Sequence, residues 1–246
     1  DDRFSAKGQM TVAACAELVR QGDPDRFQSA MTAPMAQRGG LMVLYAFNLE
    51  LARAAVSSRE VLIAQMRLQF WSDILDGIAT GNPKGGHEVA RPLADLVSAR
   101  AVPVGLLEQM VQARQFDATG APHASEAAQN AYIDATAGSL MWVSALVCGA
   151  DKAQEAAVRQ AGFAAGAASL LAAAPALFAL GHSPLFDPYP AGIRGLAEAG
   201  LAALNQAKTT ALPRGIYPAL RAGWLARPIL TRALRDPALV LENRLH

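Results

Sequence analysis

An uncharged run of twenty residues, GFAAGAASLLAAAPALFALG at 162–181, constrains this chain more than any other feature. The run is as long as a membrane-spanning helix. Ala and Gly contribute little to bilayer insertion, however, and Pro175 lies inside the run. Small residues equally suit a helix that packs closely against its neighbours. Because no other segment of the sequence resembles a span, we favour a buried core helix over a transmembrane one.

Composition narrows the class of protein. The 246 residues are 52% hydrophobic and 17% charged, with a formal net charge of +1. Such low charge predicts a large buried interface or contact with a membrane, and the near-zero balance argues against nucleic acid as a partner. Cys15 and Cys148 lie in apolar surroundings and are predicted to be reduced core residues. The four histidines are not at metal-ligand spacing, so we predict no metal and no cofactor.

Residues that favour helices dominate the chain, and period-two alternation typical of strands is absent. Gly and Pro punctuation divides the sequence into helical segments, with the clearest loops at 81–87 and 181–192. No stretch has linker composition, so we predict one all-α domain over 1–246. The predicted helices are 10–21, 24–31, 34–56, 59–80, 89–100, 103–117, 124–149, 151–180, 190–208 and 213–235. The sequence opens on Asp1 rather than Met, which leaves a short processed leader open.

Several stretches carry a family resemblance. They are CAELVRQGDPDRFQSAMTAPMAQRGGLMVLYAFNLELARA (15–54), MRLQFWSDILDGIATG (66–81), AYIDATAGSLMW (131–142) and the segment 161–186. In order and spacing they resemble the squalene/phytoene synthase family over about residues 10–205. The resemblance implies an isoprenoid-synthase-like helical bundle around a central cavity. It also implies a reaction that joins two prenyl diphosphates, in which Mg²⁺ held by two Asp-rich motifs drives ionisation.

The resemblance also explains the uncharged run. In active members each motif places acidic residues four apart on one helix face. The first motif would follow LYAF (44–47), and its positions are occupied by Ala52 and Val56. The expected acidic positions of the second motif are Ala173, Ala176 and Leu177, with Ala172 at the usual Arg and Gly181–His182 at a Gly-Arg pair. The resemblance therefore implies a metal-binding helix whose ligands have been replaced by apolar residues.

Two signatures, YAFNLELAR (45–53) and MRLQFWSD (66–73), resemble one branch of this family in particular. That branch comprises the complex I assembly factors of mitochondria and their bacterial relatives. It implies a non-catalytic role as an assembly factor or accessory subunit, with protein subunits of respiratory complex I as partners. A peripheral position follows from the same resemblance, on the cytoplasmic face of the bacterial inner membrane or on the matrix side in mitochondria.

Two other functions stay open. The chain could be an active prenyl transferase that uses displaced carboxylates, and the candidates are Asp73, Asp76, Asp117 and Asp134. For Asp73 and Asp76, a solvated helix face is the simpler interpretation. It could instead be a lipid or isoprenoid carrier that uses the residual cavity. The candidate cavity residues are Tyr45, Glu50, Arg53, Trp71 and Tyr132, for which plain core packing and a structural Glu50–Arg53 ion pair are the alternatives.

The C-terminal segment 206–246 is predicted to be helical and basic. Its part from 212 to 246 holds six Arg, no Lys and two acidic residues. An arginine-rich amphipathic helix with a Trp suits an anionic membrane surface or an acidic partner, whereas a solvated outer helix is the simpler alternative. The preference for Arg over Lys favours a partner surface, formed by Arg221, Trp224, Arg227, Arg232 and Arg235.

Overall fold

The computed structural model describes residues 6–56, 60–83, 85–100 and 102–245, and within these ranges it contains helices and no strand. The predicted all-α class is confirmed. Thirteen α-helices follow one another within the described part of the chain. They are α1 Ala6–Gly22, α2 Pro24–Met31, α3 Met35–Val56, α4 Val61–Ala79, α5 Ala90–Arg100, α6 Val104–Asp117, α7 Glu126–Ile133, α8 Ser139–Val147, α9 Glu155–Ala179, α10 Pro190–Ala207, α11 Tyr217–Leu220, α12 Ala226–Arg235 and α13 Ala238–Leu241.

Sequence-level signals account for several helix starts. Asp23 caps α2 by accepting a hydrogen bond from the backbone N–H of Arg26, and Pro24 occupies the first turn. Ser125 caps α7 in the same way through the N–H of Ala128. Asp151 and Gln154 form a capping box before α9. These caps satisfy backbone donors that would otherwise lack partners at the helix ends.

Two of the predicted long helices are interrupted. The helix predicted over 124–149 consists of α7, a π-helical turn at Asp134–Gly138 and α8. Ser139 donates its N–H to the carbonyl of Asp134, five residues back, which is the π-helical bond. Hydrophobic periodicity does not register one extra residue within a turn, so the sequence predicted a continuous helix.

The helix predicted over 213–235 is also wrong as a single element. It is divided into a 3₁₀ turn at Arg214–Ile216, α11, a second 3₁₀ turn at Arg221–Gly223, and α12. Pro218 and Pro228 each lack a backbone donor and therefore lie in the first turns of new helices. The four-residue α13 was not predicted, because one turn is too short to show a period.

The bundle has two hydrophobic cores. The first surrounds α3 and contains large side chains, including Leu44, Tyr45 and Phe47, which are all within 1% of complete burial. The second surrounds α9, where small residues such as Ala164 and Ala167 meet side chains of α10 and α12. The uncharged run thus packs against neighbouring helices on several sides, chiefly α8, α10, α12 and the π-helical turn.

Two helices are long and apolar enough to cross a membrane by length and composition: Met35–Val56 and the helical stretch Lys152–Ala179. The prediction that only the uncharged run has this property was therefore wrong, because α3 carries its few charges near its ends. Within the most apolar window, 61% of the residues of α3 and 39% of those of the second stretch are buried inside the protein. The lower value for α9 reflects a row of accessible residues that includes Ser169 and Ala173.

Candidate functional site

A cavity of about 310 Å³ lies between α3, α6, α9 and the segment around the π-helical turn. Ala52 and Val56 line it from α3, and Ala173 and Leu177 line it from α9. Of the five positions at which the family resemblance placed acidic residues, Ala176 is exposed on α9 outside the cavity wall, and the other four line the cavity. They lie on facing helices and give the cavity an apolar wall. Of the neighbouring motif positions, Ala172 lines an adjacent groove instead.

Of the five residues predicted to line a residual cavity, only Tyr132 does so. Tyr45 and Trp71 lie in the first core, because the inward faces of α3 and α4 pack together there. Trp71 makes edge contacts with the rings of Phe47, at 5.4 Å between centroids, and His87, at 5.0 Å. Both predicted aromatics are therefore part of the packing of the bundle.

Glu50 and Arg53 also lie outside the cavity wall. Arg53 contacts Glu50 at 3.3 Å, and the Nε2 atom of His87 lies 3.4 Å from the same carboxylate. Hydrogen bonding to His87 and the charge of Arg53 hold the pKa of Glu50 below its usual value, against the opposing effect of burial. The pair predicted at this position exists as a three-residue cluster on the flank of α3.

Polar side chains gather at one end of the cavity. Arg114 Nη1 donates to the carboxylate of Asp117 and to the hydroxyl of Tyr132, both at 2.8 Å. The Tyr132 hydroxyl in turn donates to the same Asp117 oxygen at 2.8 Å. Burial raises the pKa of Tyr132, so its hydroxyl stays protonated. The three side chains form a closed triangle of hydrogen bonds in which the charges of Arg114 and Asp117 offset each other.

Two histidines extend this polar end. The ring of His123 is buried and stacks on Phe116 with centroids 4.5 Å apart, and burial lowers its pKa. His182 Nδ1 lies 3.1 Å from the carbonyl oxygen of Asp117. Sequence reasoning missed Arg114, His123 and His182 as cavity residues. The i,i+3 spacing of Arg114 and Asp117 was a signal of an ion pair, but nothing local connected it to Tyr132, eighteen positions away.

Comparison with known families decides the identity of this bundle. The sequence model described as squalene/phytoene synthase matches residues 19–185, which is more than half of the chain. The chain belongs to the squalene/phytoene synthase family. Its fold is also that of solved members. It superposes on squalene synthase HpnC from Alicyclobacillus acidocaldarius with a TM-score of 0.80 and 13% identity, covering 94% of this chain and 95% of that one.

A dehydrosqualene synthase superposes with a TM-score of 0.71 and 13% identity, covering 99% and 90% of the two chains. Curated relatives in this squalene/phytoene synthase family bear the name NADH dehydrogenase (ubiquinone) complex I, assembly factor 6. The Bos taurus protein is 38% identical over 28% of this chain and 21% of its own length. The Drosophila melanogaster homolog is 30% identical over 65% of this chain and 50% of its own length. The chain therefore spans half or less of these relatives.

The cavity of this family member offers a poor donor set for the Mg²⁺ that the family resemblance implies. Mg²⁺ takes carboxylate and water oxygens in octahedral geometry, whereas the motif positions here are apolar. Among the described residues, no group of three or more His, Cys, Asp or Glu side chains is placed to hold a metal ion. The residues present do not fit the metal.

The alternative carboxylates are dispersed. Asp117 lines the cavity but is bound by Arg114 and Tyr132. Asp134 lies 3.3 Å from Arg159, and Asp73 accepts a hydrogen bond from Gln69 at 2.9 Å. Asp76 is exposed on α4. Only one of the four predicted carboxylates therefore reaches the cavity.

The predicted basic surface is exposed. Arg227, Arg232 and Arg235 lie on the outer face of α12, whose opposite face is buried through Ile229 and Leu230. Arg227 donates to Asn205 at 2.8 Å, and Arg232 donates to the carbonyl of Arg244 at 2.7 Å. Trp224 is 61% exposed and borders the groove adjacent to the cavity, and Arg221 is exposed beside it. We call these five residues, Arg221, Trp224, Arg227, Arg232 and Arg235, the arginine face.

Proposed function

We propose that this chain is a non-catalytic member of the squalene/phytoene synthase family that serves respiratory complex I, as an assembly factor or accessory subunit. The observation that carries the proposal is the apolar cavity wall at Ala52, Val56, Ala173 and Leu177. The relatives named as complex I assembly factors support the same role.

The physical argument concerns the free energy of bringing a diphosphate into the cavity. A multiply charged anion leaves water only where cations and hydrogen-bond donors replace its hydration. A bound Mg²⁺ would supply this compensation, but alanine, valine and leucine cannot ligate it. The arginines that reach the cavity, Arg26 and Arg114, are already paired with Asp23 and Asp117. Diphosphate ionisation therefore lacks its electrostatic driving force here.

In this proposal the helical bundle acts as a scaffold and the arginine face is its contact with complex I subunits. Arginine recognises carboxylates through a planar fork of donors, which suits an acidic protein surface. Arginines beside an exposed Trp also suit peripheral contact with an anionic membrane. We place the protein on the cytoplasmic face of the bacterial inner membrane, or on the matrix side in mitochondria.

The first test follows the protein through native separation. A membrane extract in a gentle detergent is resolved by size, and the chain is located by mass spectrometry. We expect it to comigrate with complex I or with its assembly intermediates. Alanine substitution of the four arginines of the arginine face should remove this comigration, whereas R20A/R91A, which alters exposed arginines elsewhere, should not. A wild-type protein that migrates alone would contradict the proposal.

The second test concerns catalysis and metal binding. The purified protein should release no pyrophosphate from a prenyl diphosphate with MgCl₂, and turnover would contradict the non-catalytic role. The variant A52D/V56D/A173D/L177D, which places carboxylates at the four motif positions, should show a higher Tm with MgCl₂ than without it. The wild-type Tm should be the same in both conditions. An equal rise in the wild type would show that the chain holds Mg²⁺ by other groups.

A further inference from the structure

The cavity carries a cluster of hydrogen-bonding side chains at one end, and the rest of its lining is mostly apolar, with Arg26, Asn48, Thr136 and Ser169 as further polar members. This is the character of a site for an amphiphile. The polar end consists of Arg114, Asp117, Tyr132 and His182, and the apolar wall includes Leu170 and Leu177. We propose that the cavity binds a neutral amphiphile, with a hydroxyl or carbonyl head at Arg114 and His182 and an alkyl chain between α3 and α9. This inference goes beyond the complex I role and does not depend on it.

Hydrogen-bonding capacity at the polar end is only partly used. Arg114 carries five N–H donors, and its Nη1 atom serves both Asp117 and Tyr132. The Nε and Nη2 donors make no hydrogen bond with the described residues, although Arg114 lines the cavity. A carbonyl or hydroxyl oxygen of a ligand would accept from these donors.

His182 supplies the complementary acceptor. Its Nδ1 atom lies 3.1 Å from the Asp117 carbonyl oxygen, which can only accept, so Nδ1 carries the proton. In the tautomer that carries its proton on Nδ1 alone, Nε2 is an acceptor. A ligand hydroxyl can donate to it. The polar end therefore presents both donors and an acceptor, as an uncharged hydroxyl or carbonyl head requires.

Charge balance selects a neutral head over an ionic one. Arg114 is paired with Asp117, and Arg26, at another part of the wall, is paired with Asp23. An anionic head would lie beside the Asp117 carboxylate, and a cationic head would lie beside the Arg114 guanidinium. Each would lose hydration without gaining a net opposite charge. This separates the proposed ligand class from diphosphates, which need uncompensated cations.

The size of the cavity limits the chain of the ligand. A volume of about 310 Å³ is at the small end of the range of roughly 300–1,000 Å³ for small-molecule sites. A medium-length alkyl chain is therefore a suitable probe. Each buried methylene should strengthen binding by about fourfold until the apolar wall is filled.

The test compares heads and chains by calorimetry on the full-length protein, with every amphiphile below its micelle concentration. The probes are 1-decanol, 1-octanol and decyl phosphate. We expect 1-decanol to bind about tenfold or more tightly than decyl phosphate, and 1-octanol to bind about sixteenfold more weakly than 1-decanol. Equal or tighter binding of decyl phosphate would overturn the neutral-head proposal, and absence of 1-decanol binding would overturn the site itself.

A pair of variants locates the binding. Ala173→Phe adds a ring at the α9 wall of the cavity, and it should abolish 1-decanol binding. Ala176→Phe adds the same ring at an exposed position of α9 that is outside the cavity wall, and binding should be unchanged. Circular dichroism checks that both variants are folded, and Ser169→Phe replaces A173F if that variant unfolds. Retained binding in a folded cavity-filling variant would overturn the assignment.

Discussion

Helices α3 and α9 face each other across the cavity, yet they are packed differently. α3 is held by large side chains, since Leu41, Leu44 and Phe47 are fully buried in the first core. α9 has few large buried side chains and makes its contacts through small residues. A methyl group at Gly162 would lie 2.8 Å from the Cα atom of Gly138, and one at Gly166 would lie 2.6 Å from the Cβ atom of Ala137.

The difference shows two ways to stabilise a helix in one bundle. Large side chains contribute by removing apolar area from water. Small residues contribute by letting backbones approach, so that many weak dispersion contacts form along the interface. The first mode is sensitive to lost volume and the second to added volume. The substitutions below test this distinction, from the largest expected effect to the smallest.

Loss of volume beside α3 should have the largest effect. Phe47→Ala removes a fully buried ring that packs edge-on against Trp71, and it should reduce the free energy of unfolding by about 3–5 kcal/mol. Denaturant unfolding of the wild type and variant measures this value. Ala167→Gly in α9 removes one methyl group and should cost about 1–2 kcal/mol through a small cavity and lower helix propensity. Equal losses of unfolding free energy in the two variants would contradict the proposed difference between α3 and α9.

Added volume should harm α9 specifically. Gly162→Ala would place Cβ 2.8 Å from Gly138 Cα and 2.9 Å from the Ala137 carbonyl oxygen, both backbone atoms. We expect a loss of about 1–3 kcal/mol from overpacking, although alanine is the better helix former. Gly195→Ala in α10 is the matched control, because nothing lies within 4 Å of the added methyl. It should increase the free energy of unfolding by about 0.5–1 kcal/mol. A stabilising G162A would refute close packing at α9.

Loss of a charge at the flank of α3 should have the smallest effect on the free energy of unfolding. The pKa of Glu50 is lower in the folded protein than its ordinary value of about 4.3. Its contribution to stability is therefore fully present above that ordinary value, and it is lost as pH falls through the lower folded-state pKa. Glu50→Gln should cost about 0.2–1 kcal/mol at neutral pH and nothing at a pH below the folded-state value. Denaturant midpoints of both proteins across this pH range provide the measurement. A difference that persists in strong acid would assign the effect to packing instead of charge.

The sequence was most informative where a signal was local or belonged to the family. The stretches at 15–54, 66–81, 131–142 and 161–186 predicted the family, and the helix-favouring composition without period-two alternation predicted the all-α fold; both are confirmed. The sequence did not predict the interruptions in two of the long helices. The π-helical turn at Asp134–Gly138 has no composition of its own, and the breaks at Pro218 and Pro228 were hidden in an apolar, arginine-rich stretch.

The candidate site was predicted unevenly for a similar reason. Ala52, Val56, Ala173 and Leu177 were located by motif register, and they meet at one cavity. The triangle joins Arg114 and Asp117 of α6 to Tyr132 of α7, and no helical spacing in the sequence connects Tyr132 to the other two. Tyr45 and Trp71 were placed in the cavity by residue type, but helix rotation directs them into the first core. The direction of a side chain depends on how its helix is rotated about its own axis, and residue type alone does not reveal that rotation.

The π-helical turn has a consequence for alignment within the family. Its five residues hold one more residue per turn than an α-helix would, so everything from Ser139 onward is rotated by about 100° relative to a continuous helix. Tyr132 before the turn faces the cavity, and Trp142 after it is buried in the first core. A chain one residue shorter here would have to give up one of these two placements. The extra residue of the π-helical turn thus allows Tyr132 to face the cavity while Trp142 faces the first core.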